Sequence, residues 1–400
     1  MHWVRLGDIA SKITKGTTPT SIGYDFVDEG INFIKIESIT ENGTFLQNKF
    51  AHITSECNEK LGRSQLNVND ILFSIAGAIG RTATVSEDIL PANTNQAIAI
   101  IRVPEGSIDY SFLMYALESP ALRKQYESQK QGVAQINLSL QNVSDFLIPK
   151  FGLDEQRRIA AVLDKVSCLI AKRREQLDKL DELVKARFVE MFGEPIANPM
   201  KWPVVPLKSL STLITNGNTP KGGSENYVEN GITFLRSQNV WRNQIILDDV
   251  AYIDEATHRS MKKSSLRYKD ILITKTGRVN TENSSLGRAA LFLGKDDSAN
   301  INGHVYLVRL KNTAIPEYIV TILTGEAYRK YIRKVCVGGI DKRQINVEQV
   351  EDFPIILPPI EMQKSFSTIR EEIGKSKLTI QQSLDKLEVL KKALMQQYFG

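Results

Sequence analysis

Cysteine is scarce, with only Cys57, Cys168 and Cys336 in 400 residues, an odd number spread far apart. That usage suits reduced thiols and excludes a disulfide framework. The four histidines, His2, His52, His258 and His304, have no ligand spacing, so no metal site is expected. Long apolar runs are missing too: nothing approaches the ~20 residues of a membrane span, and the opening MHWVRLGDIA has no apolar signal core. A soluble, cytoplasmic protein without membrane contact is expected. The net charge is only +5, a weak sign of a polyanionic partner. Its distribution says more, because residues 1–153 hold 13 basic and 16 acidic side chains whereas residues 194–360 hold 22 and 17. The second half is expected to be the more electropositive.

Catalytic motifs are equally absent. There is no Walker A sequence and no Gly-rich Rossmann fingerprint. The nearest segments to an Asn/Asp-Pro-Pro-Tyr/Phe base-stacking loop are NPMK (198–201) and LPPIE (357–361), and neither has that order. Pro358 and Pro359 read better as a helix-opening stop. A metal-dependent nuclease needs clustered carboxylates with a nearby lysine; only Asp270 with Lys275, and Asp70 with no following lysine, come near it. Both aspartates open an Asp-Ile-Leu strand at equivalent places, which favours a turn role. The stretch AGAIGR (76–81) is either a phosphate cradle or a tight hairpin with an exposed arginine. No catalytic residue is assigned, and the chain is expected not to be an enzyme.

What is present is a sequence written twice. VRLGDIASKITKGTTPT (4–20) parallels VPLKSLSTLITNGNTPK (205–221), and DEGINFIKIESI (28–39) parallels VENGITFLRSQNV (228–240). NDILFSIAGAIGRTA (69–83) answers KDILITKTGRVN (269–280) with the Gly-Arg-Ala of 287–289, and PANTNQAIAIIRV (91–103) answers SANINGHVYLVRL (298–310). QINLSLQNVSDFLIPKFGLDEQ (135–156) matches QINVEQVEDFPIILPPIEMQ (344–363), and MFG (191–193) matches YFG (398–400). Conserved order over so many segments indicates a duplicated module of about 200 residues. At 42% hydrophobic content each copy can bury a core.

Each copy begins β-rich, with short runs such as INFIKI, QAIAIIRV, DILITK and HVYLVRL between Gly, Asn and Pro turns, followed by a short helix. Each ends in one long helix opened by IPKFGLDEQ or LPPIEMQ. The first helix repeats Ile159, Leu163, Val166, Ile170, Leu177, Leu180, Val184 and Met191 at steps of three and four, interrupted by Arg173 and Arg187. The second repeats Phe366, Ile369, Ile373, Ile380, Leu387, Leu390 and Leu394, with Ser376 and Ser383 as weak positions. A 3.5-residue period is what a coiled-coil pair needs, although two independent amphipathic helices would read similarly. The segment MFG-EPIANPMKWP returns the chain to a new β domain, so antiparallel packing is the simpler topology. The expected fold class is α+β: two β-rich domains in tandem repeat (1–153 and 194–360), each followed by a long helix (154–193 and 361–400), the helices pairing as an antiparallel coiled coil.

Lys-Gly-Thr-Thr-Pro (15–19), Asn-Gly-Asn-Thr-Pro (216–220), the IP…DEQ and LPP…EMQ helix openings and the FG-EP…NP…W linker at 192–202 together resemble the specificity subunits of type I restriction-modification systems. The resemblance covers essentially the whole chain. It implies two target recognition domains, each reading half of a split, asymmetric double-stranded DNA site. It implies paired helices as a spacer; about 37 residues at a 1.5 Å rise give a rod of roughly 55 Å, against ~35 Å for one DNA turn. It further implies two methyltransferase (modification) subunits that bring S-adenosylmethionine and methylate adenine N6, and a restriction motor-nuclease subunit using ATP and magnesium. No cofactor is expected on this chain itself.

Within each module the expected DNA-binding side chains are those on loops or strand ends that carry hydrogen-bonding groups. In the first they are Lys12, Lys15, Thr17, Thr18, Arg81, Asn95, Gln96, Gln135 and Asn137. In the second they are Asn218, Thr219, Lys221, Arg236, Asn239, Lys275, Arg278, Arg288, Asn302, Lys342, Arg343 and Asn346. Arg, Asn and Gln can read base edges, while Lys and Thr more often take phosphate. The acidic first module is expected to bind DNA weakly alone, leaving much of the backbone contact to partners. Two rivals remain at this point: a coiled-coil adapter, and a DNA-binding protein with an unrecognised nuclease site. The loops at 74–86 and 274–288 differ in length and chemistry, as two readers of different sequences would.

Overall fold

A computed structural model describes residues 2–127, 137–220, 222–281 and 283–400. It divides into two compact units, residues 1–175 with 381–400 and residues 176–380. Among the described residues no helix is long and apolar enough to cross a membrane.

In the first unit four antiparallel strands lie in the order Lys12–Lys15, Ile98–Arg102, Ile71–Ser74, Thr82–Thr84. Alternation along these strands sends Ile71, Phe73, Ala99 and Ile101 into one buried cluster with Phe112 and Phe146, and Leu72, Ile98 and Ile100 into another with Ile34 and Val85. Both faces of the sheet are thus covered, which is why its strands read as apolar runs. A three-stranded sheet, Ala51–Ile53, Ile31–Ile34, Ala92–Thr94, packs beside it with one parallel pairing. Helices Tyr110–Glu118, Pro120–Glu127 and Leu140–Ser144 complete the layer.

The second unit repeats this plan. Its four strands run Ser211–Asn216, Val305–Leu310, Ile271–Thr274, Ala289–Leu291, and its three-stranded sheet Ala251–Ile253, Ile232–Leu235, Ala299–Ile301. It adds a hairpin of Val240–Trp241 with Gln244–Ile245, and a ribbon of Thr276–Arg278, Lys342–Gln344 and Val337–Gly338.

The duplicated motifs earn their positions in the frame. Asp70 is 1% exposed, and its carboxylate accepts from the Asn67 amide at 2.8 Å and from Arg102 Nε and Nη2 at 2.7 Å each. Asp270, 2% exposed, accepts from the Arg267 amide at 2.7 Å and from Arg309 at 2.9 and 2.7 Å. The turn role read from sequence is therefore joined by an ion pair across the sheet. Gly16 and Gly217 sit where an added Cβ would fall 1.7 Å from the Thr94 carbonyl oxygen and 1.9 Å from that of Ile301. No other residue fits those two loops without moving backbone. Stretch 76–81 is a hairpin between antiparallel strands, and its Arg81 is half-buried rather than exposed.

The long helices run Leu153–Phe192 and Ile360–Phe399. Asp154 and Glu155 in the first turn of one, and Glu361 in that of the other, favour the N-terminal end of the helix dipole. In the first unit Ile159, Ala160 and Leu163 share a core with Met395 and Phe399, and the Phe112 and Phe399 rings lie 5.2 Å apart. In the second, Phe188 and Phe192 pack on Phe366 at 5.4 and 5.7 Å and on Tyr318 at 5.6 and 4.9 Å. Within each unit, then, the start of one helix lies beside the end of the other, the antiparallel arrangement. Arg174–Glu388 at 2.7 Å in the first unit and Lys377–Asp181 at 2.6 Å in the second decorate the seam. Half-exposed pairs of this kind contribute ~0.2–1 kcal/mol each.

Seam positions Ile159, Leu163, Val166, Ile170, Phe366 and Ile373 are buried, while Leu177, Leu180, Val184, Ile369, Ile380, Leu387 and Leu394 are half-buried. Leu390 is a correction, being 45% exposed, whereas Leu384 is 6% exposed. The sequence reading stepped 380, 383, 387, 390, 394; the helix steps 380, 384, 387, 391, 394. Both satisfy a 3.5-residue period through the same anchors, and Leu384 decides between them. The Lys391 ammonium sits 5.7 Å from the Tyr115 ring centre, its stem lying along the seam.

Candidate nucleic-acid interface

The turns at Gly16 and Gly217 pack on equivalent backbone carbonyls, those of Thr94 and Asn95 in one and of Ile301 and Asn302 in the other, and carry partly different groups. In the first unit the Gly16 amide donates to the Asn95 carbonyl at 3.1 Å, which brings Lys15, Thr17, Thr18, Asn95 and Gln96 together. The Thr18 hydroxyl donates to Gln96 Oε1, and Asn95 Oδ1 accepts from the Ala97 amide at 3.1 Å. Arg63, which the sequence reading overlooked, joins them by donating to Thr17 Oγ1 at 3.4 Å and the Lys15 carbonyl at 3.5 Å. Lys12 is set back on its strand, its ammonium 2.8 Å from the Arg63 carbonyl.

The equivalent place in the second unit gathers Asn218, Thr219 and Asn302, whose Oδ1 accepts from the His304 amide at 3.0 Å. Lys275 stands alongside, its amide 2.8 Å from the His304 carbonyl and its ammonium 5.8 Å from the Tyr306 ring centre. Asn218, Thr219 and His304 are exposed.

A second polar group lies on the ribbon. Arg278, Lys342 and Arg343 are consecutive cross-strand neighbours: Arg278 faces Lys342 and Gly277 faces Arg343. Arg278 pairs with Asp341 at 3.3 Å, and Arg343 Nε donates to the Gly339 carbonyl at 3.2 Å. Nearby, Arg333 reaches the Thr281 carbonyl at 3.5 Å. Arg329 is held below the ordinary guanidinium pKa by burial first and by the positive charges of the neighbouring Arg242 and Arg333 next. Arg242, Arg329, Arg333 and Arg370 line one groove of about 700 Å³ in this unit.

Other expected contacts are committed to holding the fold. Arg288 is 8% exposed, its guanidinium 3.9 Å from the Trp241 ring centre, with Nε donating to the Ser284 carbonyl at 3.0 Å and Nη2 to the Asn283 carbonyl. Asn239, 2% exposed, accepts from the Arg236 amide and donates to the carbonyls of Ile246 and Asp249 at 3.0 and 2.8 Å. Neither can reach a base edge without dismantling its loop. Arg81 donates to the carbonyls of Ile39 and Ile36 at 3.0 and 3.4 Å, Arg236 pairs with Asp249 at 3.0 Å, and Asn346 caps the helix Val347–Glu351. Asn137 is exposed. Gln135 and Lys221 lie outside the described residues.

Helix-opening glutamines have a comparable structural duty. Gln156 accepts from the Asp109 amide at 2.9 Å and donates to the Phe151 carbonyl at 2.8 Å; Gln363 accepts from the Ile315 amide at 3.1 Å and donates to the Pro358 carbonyl at 2.9 Å. The linker is fixed by Trp202 Nε1 donating to the Phe192 carbonyl at 3.1 Å. Among the described residues no group of three or more His, Cys, Asp or Glu is placed to hold a metal ion. What the exposed loops offer is hydrogen-bond donors, acceptors and positive charge.

A family model described as the type I restriction modification DNA specificity domain matches residues 1–181 and again 199–390. The MjaVIII specificity subunit of Methanocaldococcus jannaschii is 22% identical over 412 residues, covering 98% of this chain and 90% of that protein. The EcoBI specificity subunit of Escherichia coli is 32% identical over 144 residues, 36% of this chain and 30% of its own length. A putative MjaX specificity subunit of M. jannaschii is 25% identical over 202 residues, 50% and 46%. The EcoBI and MjaX matches thus span less than half of those relatives. The fold is similar to the S subunit of a type I restriction-modification system from M. genitalium, with TM-score 0.57, 14% identity and coverage of 100% and 96%. A chain solved in work on complex assembly and conformational transition of a type I R-M system gives 0.58, 17%, 100% and 97%.

Proposed function

This chain belongs to the type I restriction-modification DNA specificity family, the DNA-sequence recognition subunits of those systems, and we propose that its two β-rich modules read the two unequal halves of one split site. One observation carries the proposal: the frame is duplicated while the exposed loops are not. Asp70–Arg102 and Asp270–Arg309, Gly16 and Gly217, and Gln156 and Gln363 recur in place. Between them, Lys15, Thr17, Ile75, Gln96 and Ala97 give way to Asn216, Asn218, Lys275, Gly303 and His304. A coiled-coil adapter would have no use for that divergence.

In this reading residues 1–153 and 194–360 are the recognition domains, and helices 154–193 and 361–400 are the spacer. Asn95, Gln96, Asn218, Asn302, Arg278 and Arg343 are the candidates for base edges, and Lys12, Lys15, Thr17, Thr18, Thr219, Lys275 and Lys342 for phosphates. Arg81, Arg236, Asn239, Arg288 and Asn346 support the loops from behind. The chain itself catalyses nothing. Two modification subunits bring S-adenosylmethionine and methylate adenine N6 where the modules direct them, and a motor-nuclease subunit bringing ATP and magnesium restricts unmodified DNA, in the cytoplasm.

The test is an exchange. Residues 194–360 are replaced by the counterpart of another family member, and the modified sequence is mapped with the same modification subunits. The first half-site is expected to stay and the second to change; an unchanged motif, or one altered in both halves, contradicts the reading.

A further inference from the structure

The ribbon of the second unit ends in a side chain that its own fold does not use. Ile340 is 90% exposed, the highest exposure among the exposed large hydrophobic residues of the described chain. It sits at the turn between Val337–Gly338 and Lys342–Gln344, where Gly, Asn or Asp would ordinarily be chosen. The base of the ribbon is anchored: Cys336 is 6% exposed, Ile345 is fully buried, and the Tyr306 hydroxyl donates to the Ile345 carbonyl at 2.9 Å. Thr276–Arg278 pairs along the outer side, and the Val279 amide donates to the Asp341 carbonyl at 3.0 Å. The tip therefore projects from a braced stem, with Arg278, Lys342 and Arg343 just behind it.

An aliphatic side chain backed by Lys342, Arg343 and an Arg278 paired with Asp341, on a two-stranded ribbon braced by a third strand, matches one ligand by shape and charge together. The DNA major groove admits a β-ribbon, its walls are phosphates, and thymine presents a methyl group on its floor. We propose that the 337–344 ribbon enters the major groove of the half-site read by the second module, and that Ile340 makes an apolar contact to a thymine methyl there, adding discrimination at one base pair. This rests on the recognition reading above and adds a residue that polarity alone would pass over.

The full chain is assembled with its modification subunits and tested on duplexes varied at each position of the second half-site. Ile340→Ser is expected to reduce the preference for thymine at one position roughly five- to tenfold, within the range typical of a single base-pair mismatch, and to leave the first half-site untouched. Ile340→Val, which keeps two methyl groups, is expected to retain most of the preference. Leu293→Ser, 64% exposed in the same unit but outside the ribbon, is the control and is expected to leave every preference unchanged. Unchanged preferences with Ile340→Ser, or an equal loss at every position, overturn the contact while leaving the split-site reading standing. A wild-type complex with no second half-site overturns both.

Discussion

Arg102 holds both carboxylate oxygens of Asp70 at 2.7 Å, in a side-chain environment where the aspartate is wholly shielded and the arginine is 27% exposed. Removing one partner strands the other, a loss of about 3 kcal/mol or more for a buried pair. Asp70→Asn is expected to destabilise the first module by that order in denaturant unfolding, and Asp70→Asn with Arg102→Leu to recover part of it. A loss below ~1 kcal/mol would show that the pair is peripheral. Because these oxygens are occupied by Arg102 and the Asn67 amide, the pure chain with DNA and magnesium is expected neither to nick nor to cut.

Gly217→Ala places a Cβ 1.9 Å from the Ile301 carbonyl oxygen and 2.6 Å from that of Asn302, so backbone must move. Recognition of the second half-site is expected to fail while the first survives, read by modification mapping. Gly374→Ala meets nothing within 4 Å and lies inside the second long helix, where the change is expected to stabilise by roughly 0.5–1 kcal/mol.

Leu384 and Leu390 separate the two possible phases of the helix pair. Leu384→Ala is expected to cost ~2–4 kcal/mol as a buried truncation, and Leu390→Ala within about 0.5 kcal/mol of nothing. Thermal unfolding of the two variants decides it, and the reverse order would restore the phase read from sequence.

Lys275→Gln and Lys342→Gln are each expected to lower the slope of log affinity against log salt by about one, as loss of one phosphate contact does. Arg288→Gln is expected to leave that slope alone and to lower stability, because its guanidinium stacks on Trp241 and serves two carbonyls. Titrations of the assembled complex at several salt concentrations give the comparison.

Much of the frame could be read from the residues because duplication makes each motif testify twice. Asp-Ile-Leu at 70–72 and 270–272, the two helix openings and the two Phe-Gly ends all mark real structural joints. The seam was ambiguous for a geometric reason: anchors seven apart do not say whether the residue between lies three or four along. The loop side chains were less legible. Asn239 and Arg288 carry the same donors as a base-reading residue, and only burial shows those donors spent on carbonyls. Ile340 was passed over because a search for hydrogen-bonding groups cannot find an aliphatic contact, and Arg63 because it lies far in sequence from the Thr17 it meets.

Where modification falls on DNA tests most directly whether the two modules choose the sequence. The chain is co-expressed with modification subunits and N6-methyladenine is mapped across the host DNA, with and without it. A split, asymmetric motif that appears only when the chain is present is the predicted result. Methylation that is absent, or that persists unchanged without the chain, would contradict the claim that its two modules choose the sequence.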